Sequence, residues 1–247
     1  MQSLTRPSLS IIIPCFNEKD NILCIIEQLD ILASQHSFIH EIIVVDGCSC
    51  DQTPSMLIQK FQNLNDRIFK LVLMDKKNGY GADIISGLNI ATGDILAWTH
   101  ADLQTDIGDV IKGYDLIQQS ENKKMVIKGR RTERKKLDLM LTKGMELVTM
   151  LKLKMRLDDI NAQPKVMTRY FYNLHIQNQR PPSDFSLDLF LLYQAQKNDY
   201  SIECFPVQFK PRQSGEAKGG GGSLTNRIKL VLRTYKYINK LKNRFIP

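Results

Sequence analysis

The stretch Trp98-Thr99-His100-Ala101-Asp102-Leu103-Gln104-Thr105-Asp106 holds the residues best suited to chemistry. It follows the apolar run Ile95-Leu96-Ala97-Trp98, which reads as a buried strand. A carboxylate at the C-terminal end of such a strand stands where open α/β sheets receive their ligands. Magnesium and manganese prefer hard oxygen ligands, and they commonly bind through one or two carboxylates plus substrate phosphates. Asp102, with Asp106 one turn further on, is therefore a candidate to hold a divalent metal against a diphosphate. The alternative for the same residues is a solvated acidic loop.

The elements that must position these side chains are legible upstream. Leu9 to Pro14, Glu41 to Asp46 and Phe69 to Leu73 are short apolar runs rich in β-branched residues, and they read as buried parallel strands. Residues 17–32, 53–63 and 82–91 carry apolar residues at helical spacing between them. Strands alternating with helices at this spacing predict βαβ units and a mostly parallel sheet. The segments after each strand then gather at one edge: Cys15 to Glu18, Asp46 to Asp51, Asn78 to Gly81 and His100 to Asp106. Asp46 and Glu18 can accept hydrogen bonds from a base or a ribose, or cap a helix. Asn78-Gly79-Tyr80-Gly81 lets a backbone approach a ligand, or turns the chain. It is neither a Gly-x-Gly-x-x-Gly fingerprint nor a P-loop.

Further along, residues 109–119, 136–156 and 184–196 read as helices, and 126–130 and 202–209 as strands. The 136–156 helix is amphipathic, with basic residues on its polar side. Length suits one large α/β domain with an appendage. Residues 1–215 form the expected catalytic domain. Residues 216–247 form a hinge around the four glycines 219–222 and a basic amphipathic helix. From Ala217 to Pro247 the chain contains Lys218, Arg227, Lys229, Arg233, Lys236, Lys240, Lys242 and Arg244 with no acid, so the charge of that stretch equals the formal +8 of the whole chain. Leu224, Ile228, Val231, Tyr235 and Ile238 share one face of the helix. The pattern suits packing on the domain or binding to anionic lipid. Nucleic acid is disfavoured because no aromatic platform accompanies the charge. Cys15, Cys24, Cys48, Cys50 and Cys204 form no metal-binding spacing and read as reduced thiols. With no signal-peptide pattern and no long apolar run, a cytoplasmic location is expected, either free or against the membrane face.

Taken in order, Pro14…Asn17-Glu18, Val45-Asp46…Ser49…Asp51, Asn78-Gly79…Gly81…Gly87 and Ala101-Asp102-Leu103-Gln104 resemble the motifs of family 2 glycosyltransferases. The nearest branch is the polyprenyl-phosphate (dolichol-phosphate) sugar transferases. Ser186-Leu187-Asp188-Leu189, Phe205-Pro206-Val207 and Arg212…Ser214-Gly215-Glu216-Ala217-Lys218 extend the resemblance to about residue 220. The resemblance implies a GT-A fold, a Rossmann-like nucleotide-diphospho-sugar transferase, and inverting sugar transfer. It implies that Pro14, Asn17, Glu18, Asp46, Gly79, Gly81, Ala101, Asp102, Gln104 and Lys218 contact the nucleotide sugar. Asp102 would bind Mg2+ or Mn2+, and Arg212 and Lys218 would meet phosphates. His100 replaces the usual first aspartate; as a metal ligand it suits manganese, and otherwise it contacts the donor or packs. Ala217 replaces a serine, and Asn161-Ala162-Gln163-Pro164-Lys165 replaces a Gly-Phe-Lys segment. Transfer to a hydroxyl needs a general base, for which Asp106 is the candidate, whereas an ionised phosphate needs none. The expected acceptor is a polyprenyl phosphate. The rivals are a saccharide hydroxyl in surface-polysaccharide assembly and a nucleotide-sugar-binding protein without turnover.

Overall fold

A computed structural model describes residues 6–64, 67–133, 136–212 and 224–243. Seven strands form one sheet: β1 (Leu9–Cys15), β2 (Ile39–Asp46), β3 (Phe69–Leu73), β4 (Ile95–Trp98), β5 (Met125–Thr132), β6 (Lys165–Thr168) and β7 (Ser201–Gln208). Their order is β3-β2-β1-β4-β6-β5-β7. β1 lies parallel to both β2 and β4, β2 to β3, and β5 to β7. β6 is antiparallel to β4 on one side and β5 on the other. Two reversals restore the direction, so β5 and β7 end at the same edge as β1, β2 and β4. β6 begins there.

The helices are α1 (Ile22–Gln35), α2 (Thr53–Phe61), α3 (Tyr80–Ile90), α4 (Asp109–Gln119), α5 (Lys136–Leu153), α6 (Arg169–Tyr172), α7 (Ser186–Lys197) and α8 (Leu224–Asn243). A five-residue π-helical segment, Asn173–Gln177, follows α6. The sheet is covered on both faces, so its central strands read as continuous apolar runs. All seven residues of β1 are buried. Alternation appears only in which layer each residue joins: Ile11 and Ile13 enter the layer with α1 and α4, and Ile12 enters the layer with α3 and α7. Glu41 is the polar exception near the opposite end of β2. It is fully buried and accepts hydrogen bonds from Ser10 Oγ, Thr92 N and Thr92 Oγ1, with Lys70 Nζ 2.5 Å away.

Three expectations change. The helix expected from Asn17 starts only at Ile22, because residues 17–21 are held in a turn by contacts to the loop after β2. The stretch at Lys165–Thr168 is a strand, although its four residues are too few for a clear period. The long helix at 136, expected to be amphipathic with basic residues on a polar side, instead mixes exposed Lys143 with apolar residues on its outward side. At about 100° per residue, Leu139, Met140, Leu147, Met150 and Leu151 of α5 share one side, and they are 45–71% exposed. Thr149, well round the helix from them, is buried.

In α8, Thr234, Ile238 and Leu241 are buried, while Ile228, Leu232 and Tyr235 stay exposed. Lys152 Nζ joins α5 to α8 by hydrogen bonds to Tyr235 Oη (2.9 Å) and Asn239 Oδ1 (2.6 Å). The glycine hinge and Lys218 lie outside the described residues. No helix among the described residues is long and apolar enough to cross a membrane. The five cysteines are free thiols; Cys15 is buried, whereas Cys24 and Cys50 are exposed.

Candidate active site

The edge where β1, β2 and β4 end gathers the segments singled out from the sequence. Asn17 sits at φ +52°, donates its backbone N–H to Ser49 Oγ (2.7 Å), and accepts the Cys50 N–H on Oδ1 (2.8 Å). These bonds fasten the turn after β1 to the loop after β2. Pro14 pairs in register with Val45 at the ends of those strands. Asp46 is 2% exposed, and its carboxylate accepts the Ser49 N–H (2.9 Å) and O–H (2.5 Å). The carboxylate of Asp83, in the first turn of α3, is packed against Gly47: a Cβ added there would lie 2.4 Å from Asp83 Oδ2. Burial, helped by the charge of Asp46, pushes the Asp83 carboxyl up to about 6.

Gly79 and Gly81 bring the start of α3 against the loop before α7. Gly79 adopts φ +103°, open to glycine but rarely to other residues. A side chain on Gly81 would lie 2.4 Å from Pro182 O. Tyr80, between them, stacks on Phe185 with ring centroids 4.4 Å apart.

Asp102 stands just beyond β4, with its side chain 15% exposed. Oδ1 accepts the Gln104 N–H at 3.1 Å, and His100 Nδ1 lies 3.6 Å from Oδ2. Burial pushes this carboxyl up. The nearby His100 imidazole, the Gln104 N–H and the Arg212 guanidinium outweigh burial and hold it below the usual carboxylate range. Ala101 is buried. Gln104 is tied to the chain after β7 by Lys210 N→Gln104 O (2.8 Å) and Gln104 Nε2→Lys210 O (3.2 Å).

That tie delivers Arg212 to Glu18, which it grips through Nη2 at 2.5 and 2.6 Å, both side chains largely buried. Asp106 faces elsewhere: Oδ1 accepts the Gly108 N–H (2.8 Å), capping the turn into α4. Asp102, Glu18, Arg212, Gln104, Asp46, Asn17 and the two glycines therefore surround one crevice. Lys218 lies outside the described residues.

Beneath the crevice lies a polar cluster that sequence reasoning missed. Lys165 and Asp188 form an ion pair (3.0 Å) with both side chains 0% exposed. Gln163 Nε2 is 3.1 Å from Asp188 Oδ1 and 3.1 Å from Tyr80 Oη, and Tyr80 Oη is 2.9 Å from His100 Nε2. Beside it, Arg131 clasps Asp159 through N and Nε, and Lys128 and Arg130 meet Asp158. The sequence marked its pieces separately, in the Ser186-Leu187-Asp188-Leu189 motif, the Asn161-Ala162-Gln163-Pro164-Lys165 segment and the Asn78-Gly79-Tyr80-Gly81 turn. Nothing local connects them.

Among the described residues, no three His, Cys, Asp or Glu side chains gather around a common point to hold a metal. Of the carboxylates at the crevice, Glu18 is gripped by Arg212 and Asp46 accepts from Ser49, while Asp102 is held in its ionised form. That fits a Mg2+ or Mn2+ ion whose other ligands come from a diphosphate and water.

Residues 10–179 match glycosyl transferase family 2. The chain belongs to that family. It is 28% identical over 143 residues to an undecaprenyl-phosphate 4-deoxy-4-formamido-L-arabinose transferase of Photorhabdus laumondii, covering 55% of this chain and 44% of that protein. The same-named protein of Proteus mirabilis is 26% identical over the same shares. The chain thus spans less than half the length of these curated relatives. Its fold is that of solved GT-A enzymes. Glucosyl-3-phosphoglycerate synthase from Mycobacterium tuberculosis, in complex with Mn2+, UDP and its product, superposes with a TM-score of 0.70 at 14% identity, over 96% of this chain and 80% of that one. A mannosyltransferase from Pyrobaculum calidifontis, in complex with GDP-mannose and Mn2+, gives 0.60 at 17% identity, over 86% and 59%.

Proposed function

We propose that this family 2 member is a metal-dependent inverting glycosyltransferase that moves a sugar from a nucleoside-diphosphate sugar to a polyprenyl phosphate. The observation that carries the reading is Asp102, an ionised carboxylate at the end of β4 within the field of Arg212. In this reading Pro14, Asn17, Glu18 and Asp46 receive the nucleoside, and Gly79, Gly81, Ala101 and Gln104 border the diphosphate and sugar. Asp102 holds Mg2+ or Mn2+, which, bound with the donor, supplies Lewis-acid stabilisation of the leaving diphosphate. Arg212, fixed by Glu18, presents cationic charge where negative charge develops, and needs no reorganisation to do so. Lys218 is assigned to the same phosphates from its sequence position.

A phosphate acceptor is favoured by two observations. The curated relatives are named for transfer to undecaprenyl phosphate. Asp106, the base candidate for a hydroxyl acceptor, is engaged in capping the turn into α4. An ionised phosphate attacks without a base.

Such an acceptor lies in a membrane, and the outward surfaces of α5 and α8 suit one. Both helices expose apolar residues: Leu139, Met140, Leu147, Met150 and Leu151 on α5, and Ile228, Leu232 and Tyr235 on α8. On α8, Lys229, Arg233, Lys236 and Lys240 line a cleft of about 480 Å3 together with Leu232, Asp184 and Ser186. An apolar surface edged by cations is the pattern of reversible docking on an anionic leaflet. We therefore place the protein peripherally on the cytoplasmic membrane face.

The test is calorimetry with UDP and GDP in the presence of Mn2+, followed by product analysis. Asp102→Asn is expected to abolish metal-dependent nucleotide binding, and Asp46→Ala to weaken binding with or without metal. Wild-type affinity in both variants removes the site assignment. With undecaprenyl phosphate as acceptor the expected product is a lipid-linked sugar; a glycosylated saccharide alone moves the assignment to the hydroxyl acceptor.

A further inference from the structure

Helix α8 divides its circumference into three stripes. At about 100° per residue, Ile228, Leu232 and Tyr235 share one side and stay exposed, while Thr234, Ile238 and Leu241 share a second and are buried. The third side carries Lys229, Arg233, Lys236 and Lys240. Steps of three and four residues stack these side chains in one row along the helix. The helix contains no Asp or Glu, so no neighbour within it neutralises the row.

The four cations line a cleft of about 480 Å3 whose walls include Asp184 and Ser186, where α7 begins. Among the described residues lining it, Asp184 is the one acid. Its Oδ1 accepts the Ser186 N–H (2.9 Å), and its Oδ2 lies 3.5 Å from Arg233 Nε. One carboxylate therefore meets four cations, and the complement of the cleft is an anion. A phosphate suits it, because several oxygens can accept from ammonium and guanidinium donors at once. Leu232 belongs both to the cleft wall and to the exposed apolar stripe, so apolar surface begins where the cations end. A soluble phosphate would use the cations alone, whereas a lipid uses both.

We propose that this cleft is a headgroup site for a phosphate-bearing anionic lipid. The phosphate lies among Lys229, Arg233, Lys236 and Lys240, and the acyl chains leave over Leu232 and the apolar stripe of α8. The site shares no residue with the donor crevice. The inference rests on the peripheral docking proposed above and gives it one saturable place, beyond a general spread of charge.

The test is titration of the full-length protein with dihexanoyl phosphatidic acid, kept below the concentration at which it forms micelles. One saturable site is expected. Glycerol 3-phosphate is expected to bind roughly tenfold more weakly, because it lacks the methylenes that cover apolar surface. Equal affinity for the two makes the ligand a soluble phosphate and overturns the proposal, as does the absence of saturable lipid binding. Arg233→Gln with Lys236→Gln is expected to weaken lipid binding roughly 30-fold, at about fivefold for each cation. Lys143→Gln with Lys242→Gln removes the same charge from exposed positions outside the cleft, and is expected to change binding by less than about threefold. Equal losses in the two pairs overturn the proposal. Circular dichroism identifies a misfolded variant, and the wild-type comparison of lipid with glycerol 3-phosphate decides independently of the variants.

Co-sedimentation with anionic liposomes separates this inference from the docking it rests on. Sedimentation reduced more in the cleft pair than in the control pair is expected. Equal sedimentation of both pairs keeps the docking and overturns the headgroup site. No sedimentation of the wild type overturns both, and leaves the sugar-transfer reading standing.

Discussion

Two buried carboxylates of this protein titrate in opposite directions, and each sets a different limb of its stability curve. Glu41 has no exposure to water, yet hydrogen bonds from Lys70, Ser10 and Thr92 outweigh burial and bring its carboxyl down to about 2. The folded state therefore favours the ionised form. Its contribution, on the order of 3 kcal/mol, is complete above the ordinary carboxyl value and fades as pH falls from about 4.5 towards 2. Glu41→Gln is expected to lower Tm at neutral pH and to flatten its fall between pH 5 and 3, which a calorimetric pH series reads directly. Asp83 behaves conversely. Its carboxyl is raised to about 6, so the folded state binds a proton that the unfolded chain releases. Stability is then lost as pH rises through the interval from 3.8 to about 6. Asp83→Asn is expected to raise Tm at pH 7.5 and to change it little at pH 4. A lower Tm at pH 7.5 in this variant would show that the charge is compensated within the crevice.

At the scale of elements, the start of α3 depends on the absence of side chains. Gly81 lies against the carbonyls of Pro182 and Asp184, and a Cβ there would fall 2.4 and 2.7 Å from them. These atoms are backbone and cannot swing aside, so relief requires α3 and the loop before α7 to separate. That separation would break the Tyr80–Phe185 stack and displace the phenol from His100. Gly81→Ala is expected to cost about 1–3 kcal/mol of overpacking, lowering Tm by roughly 3–10 °C. Nucleotide affinity should fall with it, because the altered segment borders the crevice. Differential scanning calorimetry with and without UDP and Mn2+ measures both. A fully stable Gly81→Ala protein would show that the loop before α7 yields easily.

For the whole molecule, the informative feature is how α8 divides its faces. Ile238 and Leu241 enter the core layer shared with α3 and α7, so removing the helix would uncover core. A truncation therefore tests folding as well as docking. Point changes on the outward surface are cleaner, because Leu147 and Leu151 of α5 are 50% and 71% exposed. Leu147→Glu with Leu151→Glu is expected to leave Tm within about 2 °C, surface substitutions being nearly neutral. Co-sedimentation with anionic liposomes should be abolished, and transfer to a lipid-linked acceptor should drop while donor binding is kept. Each cation on α8 contributes on the order of 1 kcal/mol near an anionic surface, so sedimentation should weaken steeply with salt. Liposome binding by the double variant equal to wild type would move the docking surface away from α5.

The sequence by itself determined the α/β alternation, the four strands that build the crevice and the acids at their ends. These are local signals: a buried strand writes itself as an apolar β-branched run, and the residue that ends it occupies the sheet edge whatever the rest of the chain does. Asp46 and Asp102 were therefore legible at once. The tertiary structure alone decided three other things. It inserted Lys165–Thr168 between β4 and β5, a pairing chosen by the space the neighbouring strands leave. It set Arg212 on Glu18 across 194 residues of chain, and no spacing rule reaches that far. It left Leu147, Met150 and Leu151 of α5 exposed beside Lys143, although the pattern of an amphipathic helix specifies only that two faces differ. The same limit applies to His100. Its identity is visible in the sequence, but its contact with Tyr80, and through it with Gln163 and Asp188, exists only when the chain has closed.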